Sequence, residues 1–245
     1  MALKGKADFQ KVKKNRIFQD VVDQIQEAIL NRTLRPGDML PPERELRETF
    51  NISRGTLRES LRVLEQKGLI EIRLGTGGGA MVKNAGTEQL TETLGLMIRS
   101  GTLSVQDIGE FRQGMEGQIA RLATQRATQE DISCLEALLE KARTETEQGA
   151  VEAFLDIDQA IHKEMGRIAG NALYQYAAQV VHDNIRKYYD NFLEFTQERM
   201  EENLLDLKLI VVAMREHQPH EATRLAEQHV CRFNERMQKK ESQIR

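Results

Sequence analysis

The sequence predicts an α-helical protein with one small β-hairpin: a winged helix-turn-helix of under 100 residues, then a larger all-α bundle of six or seven helices. Three observations predict it. Apolar residues recur every three to four positions along nearly the whole chain, the spacing that gathers them on one helix face. Strict alternation with a period of two occurs once, at residues 70–82, on either side of a glycine run. The charge divides in the same way. Residues 1–84 carry 16 Lys and Arg against 11 Asp and Glu, and residues 85–245 carry 19 against 27, so a chain of net charge −3 joins a +5 head to a −8 body. At 245 residues there is enough chain for two cores. The expected boundaries are 9–83 for the head, 84–88 for a linker and 89–240 for the body.

In the head, Ile17, Val21, Val22, Ile25 and Ile29 form a first helical stripe that stops at Asn31, before a turn at Pro36, Gly37 and Asp38. A second helix starts at Pro41 and Pro42, because the fixed φ of Pro42 suits a first helical position, and buries Leu46 and Phe50 before Asn51 ends it. Ser53 offers a side-chain oxygen to cap a third helix, which turns Leu57, Leu61 and Leu64 inward and ends at Gly68. Two helices joined by so short a turn read as a helix-turn-helix. Ile70, Ile72 and Leu74 then alternate with Glu71 and Arg73, and Ala80, Met81 and Val82 return after Gly75-Thr76-Gly77-Gly78-Gly79. A hairpin directly behind a helix-turn-helix is a wing. The competing reading, a phosphate-cradling loop, would need Lys followed by Ser or Thr after the glycines, and neither is there.

From Glu88 onward no strand pattern appears and the only proline is Pro219. Helices are expected near 88–100, 104–126, 128–147, 150–169, 171–195, 197–216 and 219–240, with Gly101, Gly149, Gly170 and Pro219 near the joints. Leu135, Leu138, Leu139 and Ala142 have the spacing that any buried helix face needs. There is no apolar run of about 18 residues to span a bilayer, and the basic stretch Met1 to Lys14 lacks the apolar segment of a secretory signal, so a cytoplasmic protein is expected. Cys134 and Cys231 are far apart and in no paired spacing, which reads as two small hydrophobes rather than a disulfide or a metal site.

The stretch Leu40-Pro41-Pro42-Glu43-Arg44-Glu45-Leu46, followed by Phe50-Asn51-Ile52-Ser53-Arg54-Gly55-Thr56-Leu57-Arg58-Glu59-Ser60-Leu61 and Leu64-Glu65-Gln66-Lys67-Gly68-Leu69-Ile70, closely resembles the DNA-binding domain of the GntR superfamily. The remainder is similar to the FCD-type effector domain of its FadR subfamily. The matching residues are Phe111, Arg112 and Glu116, the segment Asp158-Gln159-Ala160-Ile161-His162, Gly170-Asn171, and Glu227-Gln228-His229. The resemblance implies a homodimeric transcription regulator, a repressor in the simplest case, that binds an inverted-repeat operator and alters its affinity when the body takes up a small organic acid.

The residues of the head agree with that reading independently. Arg54, Arg58 and Arg62 recur every four positions on the side of the third helix away from Leu57, Leu61 and Leu64. A major groove admits such a helix, and Arg pairs bidentately with guanine. By resemblance, Arg44, Arg54, Thr56 and Arg58 carry DNA contacts and the wing tip around Gly75 approaches the minor groove.

In the body, Asp158 and His162 share one helix face at i, i+4, and His229 projects from the last helix. Carboxylate plus imidazoles suits a divalent ion such as zinc, nickel or manganese. Many FCD domains hold a metal with one Asp and three His, but Leu207 stands at the position of their middle histidine. Two readings stay open: a three-ligand metal site, or a metal-free cluster in which the histidines bond to Asp158. By resemblance Arg112 points into the same cavity, where a guanidinium grips a carboxylate at two points; the alternative is a surface pair with Glu116. Asn171 either lines the pocket or begins a helix, and Tyr174, Arg186 and Tyr189 are further candidates for the lining. A metalloenzyme using Asp158, His162 and His229, or an architectural protein indifferent to DNA sequence, are the rival functions. The first lacks a recognisable general base and has no use for the basic head; the second leaves the large body unexplained.

Overall fold

The computed structural model describes residues 16–75, 78–84, 86–189 and 196–244. The basic stretch Met1 to Lys14, Thr76 and Gly77 of the hairpin tip, Ala85 of the linker and the end of the helix expected to reach 195 lie outside them. The chain forms two compact units, the first ending at Gln89 and the second beginning at Leu90.

The first unit contains α1 (Arg16–Leu30), α2 (Glu43–Phe50), α3 (Arg54–Gln66) and the strands β1 (Ile70–Arg73) and β2 (Gly79–Val82). The inward stripes meet in one core: Val21, Val22 and Ile25 from α1, Leu46 from α2, Leu57, Leu61 and Leu64 from α3, and Ile70, Ala80 and Val82 from the hairpin. Asn51 takes the left-handed conformation at the end of α2, with φ 49° and ψ 53°. Ser53 caps α3 by accepting from the Thr56 amide at 3.1 Å. Ser60, buried on the inner face of α3, donates to the Phe18 carbonyl at 3.0 Å and so fastens α1 to α3.

The strands pair antiparallel, Ile70 opposite Val82 and Arg73 opposite Gly79. Leu74 is not on the buried face with Ile70 as the alternation suggested: β1 ends at Arg73 and Leu74 stands 94% exposed. The sequence also gave no sign of a third partner to the hairpin. Met39 bridges Met81, the Leu40 amide donates to the Ala80 carbonyl at 2.8 Å and the Val82 amide to the Asp38 carbonyl at 2.9 Å. The short segment after the Pro36 turn therefore covers the free edge of β2.

The second unit is built from α4 (Glu88–Arg99, whose first two residues close the first unit), α5 (Val105–Arg126), α6 (Gln129–Gln148), α7 (Val151–Ile168), α8 (Ala172–Tyr189), α9 (Gln197–Arg215) and α10 (Pro219–Ile244). No helix among the described residues is long and apolar enough to cross a membrane. The centre of the bundle is α5, which packs against α7, α8, α9 and α10. Gly117 allows α10 to lie close, since a Cβ there would come within 2.7 Å of Glu227 Cγ. Around this contact Ile119, Ile161, Met165, Leu207, Ile210, Met214 and Ala226 form the main apolar core. Cys134 is exposed and Cys231 half-buried, so Cys134 is not the buried hydrophobe that its residue type suggested.

Two capping boxes start α5 and α6: Ser104 with Asp107, and Thr128 with Asp131. Asp131 also pairs with Arg167 of α7. The Thr128 amide and hydroxyl, with Arg167, lower the Asp131 carboxyl to about 2. Because this folded value lies below the ordinary one, its stabilisation is complete above about pH 4 and is lost as the pH falls towards 2. Helix melting followed by circular dichroism between pH 5 and 2 is expected to show that loss in the wild type and a smaller one in Asp131→Ala. Thr128→Ala is expected to cost about 1 kcal/mol at neutral pH.

Candidate functional site

On the head, Arg54 opens α3 and Arg58 follows one turn later, both more than half exposed. Burial of Leu57, Leu61 and Leu64 on the opposite side fixes the rotation of α3 and hence the outward face of the arginines. Both guanidiniums share one carboxylate from α2: Glu43 Oε2 lies 3.7 Å from Arg54 Nε and 3.3 Å from Arg58 Nε. Arg44 and Arg62 are exposed. Thr56 is half-buried, its hydroxyl 2.9 Å from Ser53 Oγ. Gly75 is exposed beside the hairpin tip with φ 102°, a left-handed conformation that favours glycine. The five sequence-derived positions of the head therefore lie on α2, α3 and the hairpin, and Glu43, which Arg54 and Arg58 share, is an addition from the structure.

In the body, Arg112 and Glu116 occupy consecutive turns on the inner side of α5 and are 4% and 1% exposed. They are not a surface pair. Glu116 accepts from His182 Nε2 through Oε1 at 2.6 Å and from His162 Nδ1 through Oε2 at 3.2 Å, with Arg112 Nε 3.9 Å from Oε1. His162 is sandwiched, its ring centroid 4.6 Å from that of His182 and 5.4 Å from that of His229. On its other side His162 Nε2 lies 4.0 Å from Asp158 Oδ1, and neither of these buried atoms has a hydrogen-bond partner. His229 Nδ1 lies 3.3 Å from Asp206 Oδ2, and Asp206 also accepts from Arg232. Arg112 stacks over Phe233, with Cζ 5.0 Å from the ring centroid, while its Nε and Nη1 are buried without a partner. A cavity with about 40 Å³ of free space, room for two or three waters, is lined by Arg112, Asp158, His182, Asn203, His229 and Phe233 among others.

Charges follow from these contacts. Burial pushes the Glu116 carboxyl up, but His162 and His182 outweigh it and hold the group well below the carboxylate range. Burial likewise pushes His162 down, and Glu116 more than reverses that, so its value is raised. For His182 burial wins and takes the imidazole to about 4, so it is neutral and donates from Nε2. Burial also lowers His229, against the pull of Asp206, and lowers Arg112, against Glu116 and Asp158.

The structure therefore brings together Asp158, His162, His229 and Arg112, as the sequence suggested, and adds Glu116, His182 and Asp206. His182 could have been found from α8 itself: Ala178, Val181 and Ile185 are buried on one face, and His182 lies among them at i+4 from the first and i−3 from the last. Leu207 is fully buried in the apolar core and supplies no ligand. Asn171 does not reach the cavity. It is exposed, and its Oδ1 accepts from the Leu173 and Tyr174 amides at the start of α8. Arg186 lines the cavity, Tyr174 packs against the apolar core, and the Tyr189 side chain lies outside the described residues. Among the described residues, two groups of three donors, Glu116 with His162 and His182, and Asp158 with His162 and His229, have ligating atoms within 4.8 Å of one another.

A winged helix-turn-helix with arginines on the outer face of its second helix, followed by a helical body around a buried polar cavity, is the build of a DNA-binding transcription regulator. Comparison with known proteins gives the family. Residues 18–79 match the bacterial regulatory proteins of the gntR family and residues 107–232 match the FCD domain, so the chain belongs to the FCD-domain proteins and carries a gntR-type DNA-binding domain. It is 27% identical over 223 residues to the HTH-type transcriptional repressor NanR of Escherichia coli, covering 89% of this chain and 82% of that one. It is 32% identical over 163 residues to the Uxu operon transcriptional regulator of the same species, covering 61% of this chain and 60% of that one. Among solved structures, Streptococcus agalactiae GntR has the same fold, with a TM-score of 0.66, 24% identity, and coverage of 89% of this chain and 99% of that one. The protein is a transcription regulator and not an enzyme.

If α3 enters the major groove, Arg54 and Arg58 each carry about 1–3 kcal/mol of operator binding. Arg54→Ala and Arg58→Ala should lose that in a mobility-shift titration while their melting temperature stays at the wild-type value, because neither side chain packs in the core. Wild-type operator affinity in both would remove α3 from the groove.

Proposed function

We propose that the protein is a cytoplasmic, ligand-responsive repressor that binds an inverted-repeat operator as a homodimer and changes its operator affinity when the FCD body takes up a small organic acid. Arg44, Arg54, Thr56, Arg58 and Gly75 make the DNA contacts. Arg112 grips the effector carboxylate, and Asp158, His162 and His229 hold one divalent ion beside it, zinc, nickel or manganese. The observation that carries this reading is a set of buried polar atoms without hydrogen-bond partners in and beside one cavity: Arg112 Nη1, Arg112 Nε with only a 3.9 Å ion pair to Glu116, and Asp158 Oδ1 facing His162 Nε2. Buried donors and acceptors are seldom left unpaired, since each costs about 1–3 kcal/mol. A carboxylate and a cation satisfy all of them. The donor set also fits, because one carboxylate and two imidazoles suit a borderline divalent ion and leave positions open. Bound there, the ion supplies a positive centre to which a second oxygen of the acid can bind.

Wild-type protein is expected to carry about one divalent ion per chain by elemental analysis, and His162→Ala to lose it, as only three protein ligands are available. In a thermal-shift screen of lactate, pyruvate, glycolate and sugar acids, with and without metal, the effector raises the melting temperature. Arg112→Ala should abolish that rise and leave operator affinity without effector unchanged. An unchanged, effector-dependent mobility shift in Arg112→Ala would remove Arg112 from the site. Competition by random duplex as strong as by operator would favour the architectural reading instead.

The pairing surface of the proposed dimer is the apolar face formed by α4, α5 and α8. Leu90, Met97, Phe111, Leu173 and Tyr176 are exposed there around a groove of about 510 Å³. An exposed apolar patch of this kind marks an interaction surface. Light scattering is expected to give a dimer for the wild type and a folded monomer for Phe111→Glu combined with Leu173→Glu. A monomeric wild type at micromolar concentration would refute the pairing.

A further inference from the structure

We infer that Glu116 and Asp206 are the positioning carboxylates of the metal centre: each accepts the Nδ1–H of one imidazole, His162 and His229 respectively, and thereby leaves the Nε2 of both rings for the ion. The inference rests on the proposed metal site at Asp158, His162 and His229 and adds two residues that do not touch the ion.

The tautomer of each imidazole decides which of its nitrogens can bind an ion. A neutral ring has one N–H and one lone pair, and the partner on one nitrogen decides what the other offers. Glu116 Oε2 stands 3.2 Å from His162 Nδ1, and Asp206 Oδ2 stands 3.3 Å from His229 Nδ1. A carboxylate is an acceptor only, so both Nδ1 atoms carry the hydrogen. The lone pairs are then on Nε2, and His162 Nε2 is the buried atom without a partner that faces Asp158 Oδ1. Two rings from two helices, α7 and α10, are held from behind by carboxylates on two others, α5 and α9. Carboxylates in this position orient metal-binding histidines and raise their basicity.

The same geometry decides between the two possible groups of donors. In the group of Glu116, His162 and His182, both carboxylate oxygens already accept from imidazole nitrogens, at 2.6 Å and 3.2 Å, and nothing is left unpaired between them. In the group of Asp158, His162 and His229, two atoms face one another unsatisfied at 4.0 Å. Glu116 is therefore a clamp and not a ligand, anchored by His182 on its other oxygen. Asp206 is anchored in the same way by Arg232, whose Nε donates at 3.0 Å.

The test uses the full-length protein, stripped of metal with a chelator. Zinc and cobalt affinities are measured by chelator competition for the wild type, Glu116→Gln, Asp206→Asn and Asp206→Ala, each first checked for folding by its metal-free melting curve. The expected result is a loss of 10–100-fold in affinity for Glu116→Gln and Asp206→Ala, with Asp206→Asn between Asp206→Ala and wild type because its amide oxygen still accepts. A merely structural role would lower the melting temperature and leave affinity alone. Long-range ¹H–¹⁵N spectra of the metal-free, histidine-labelled wild type are expected to show the Nδ1–H form at His162 and His229, and the ring facing each altered carboxylate to lose that preference. Unchanged affinity in Glu116→Gln and Asp206→Ala, or a wild type with its imidazole hydrogens on Nε2 alone, overturns the assignment. A wild type that binds neither zinc nor cobalt overturns the metal site itself, a result distinct from binding that ignores the two carboxylates.

Discussion

An ionised carboxylate with almost no solvent contact, Glu116, is the constraint to which the middle of the body conforms. Burying such a group costs several kcal/mol unless charge and hydrogen bonds compensate it, and removing one partner then costs more than the pair is worth. Compensation comes from three directions: His182 on α8, His162 on α7, and Arg112 one turn away on α5 itself. Apolar stripes alone tolerate sliding, because any large aliphatic side chain of similar volume fills the gap. Hydrogen bonds at 2.6 Å and 3.2 Å from one carboxylate do not, so Glu116 sets the register of α7 and α8 against α5 more narrowly than the surrounding core does. Arg112 in turn stacks on Phe233 of α10, one turn from His229, and that last helix is drawn into the same arrangement.

How much of this could be read from the sequence depended on whether the information was local. The helix-turn-helix was legible because each part is announced by neighbours in sequence: Ser53 before α3, Gly68 after it, and the stripe of Leu57, Leu61 and Leu64 between. The body helices were legible for the same reason, with glycines and Pro219 at their joints. The bridge between Met39 and Met81 was not, since it joins residues 42 apart and Met39 alone carries no strand pattern. In the site, Asp158 and His162 were visible as an i, i+4 pair on one helix, and Arg112, His229 and Leu207 were marked only by family likeness. A surface pair of Arg112 with Glu116 stayed open as the alternative because spacing on a helix says nothing of which face is buried. His182 was missed although its place among Ala178, Val181 and Ile185 marks it as facing inward, and Asp206 was missed because its role exists only across helix contacts. Asn171 went the other way: its side chain is satisfied by the two amides of its own turn, a local explanation that competes with any pocket role.

The head and the body use the same chemistry, guanidinium and imidazole against carboxylate, and burial makes it serve opposite ends. On the head, Glu43 neutralises Arg54 and Arg58 at 3.7 Å and 3.3 Å, but all three side chains are between 42% and 63% exposed. Exposed pairs of this kind are worth about 0–1 kcal/mol and weaken further with salt. A bidentate contact to guanine is worth about 1–3 kcal/mol, so in the proposed complex with DNA a base outcompetes Glu43 for these arginines. Until then the carboxylate keeps two like charges, one helical turn apart, from repelling each other unopposed. In the body the pairs of Glu116 are 1–6% exposed, and exchanging any of them for a ligand would leave a bare charge out of water. The atoms there that no hydrogen bond uses are Arg112 Nη1, Asp158 Oδ1, His162 Nε2 and Asn203 Oδ1, with Arg112 Nε held only by its 3.9 Å ion pair to Glu116. The weak, exposed pairs thus lie on the face of α3 proposed to meet DNA, and the locked, buried pairs lie beside the cavity whose shape they hold.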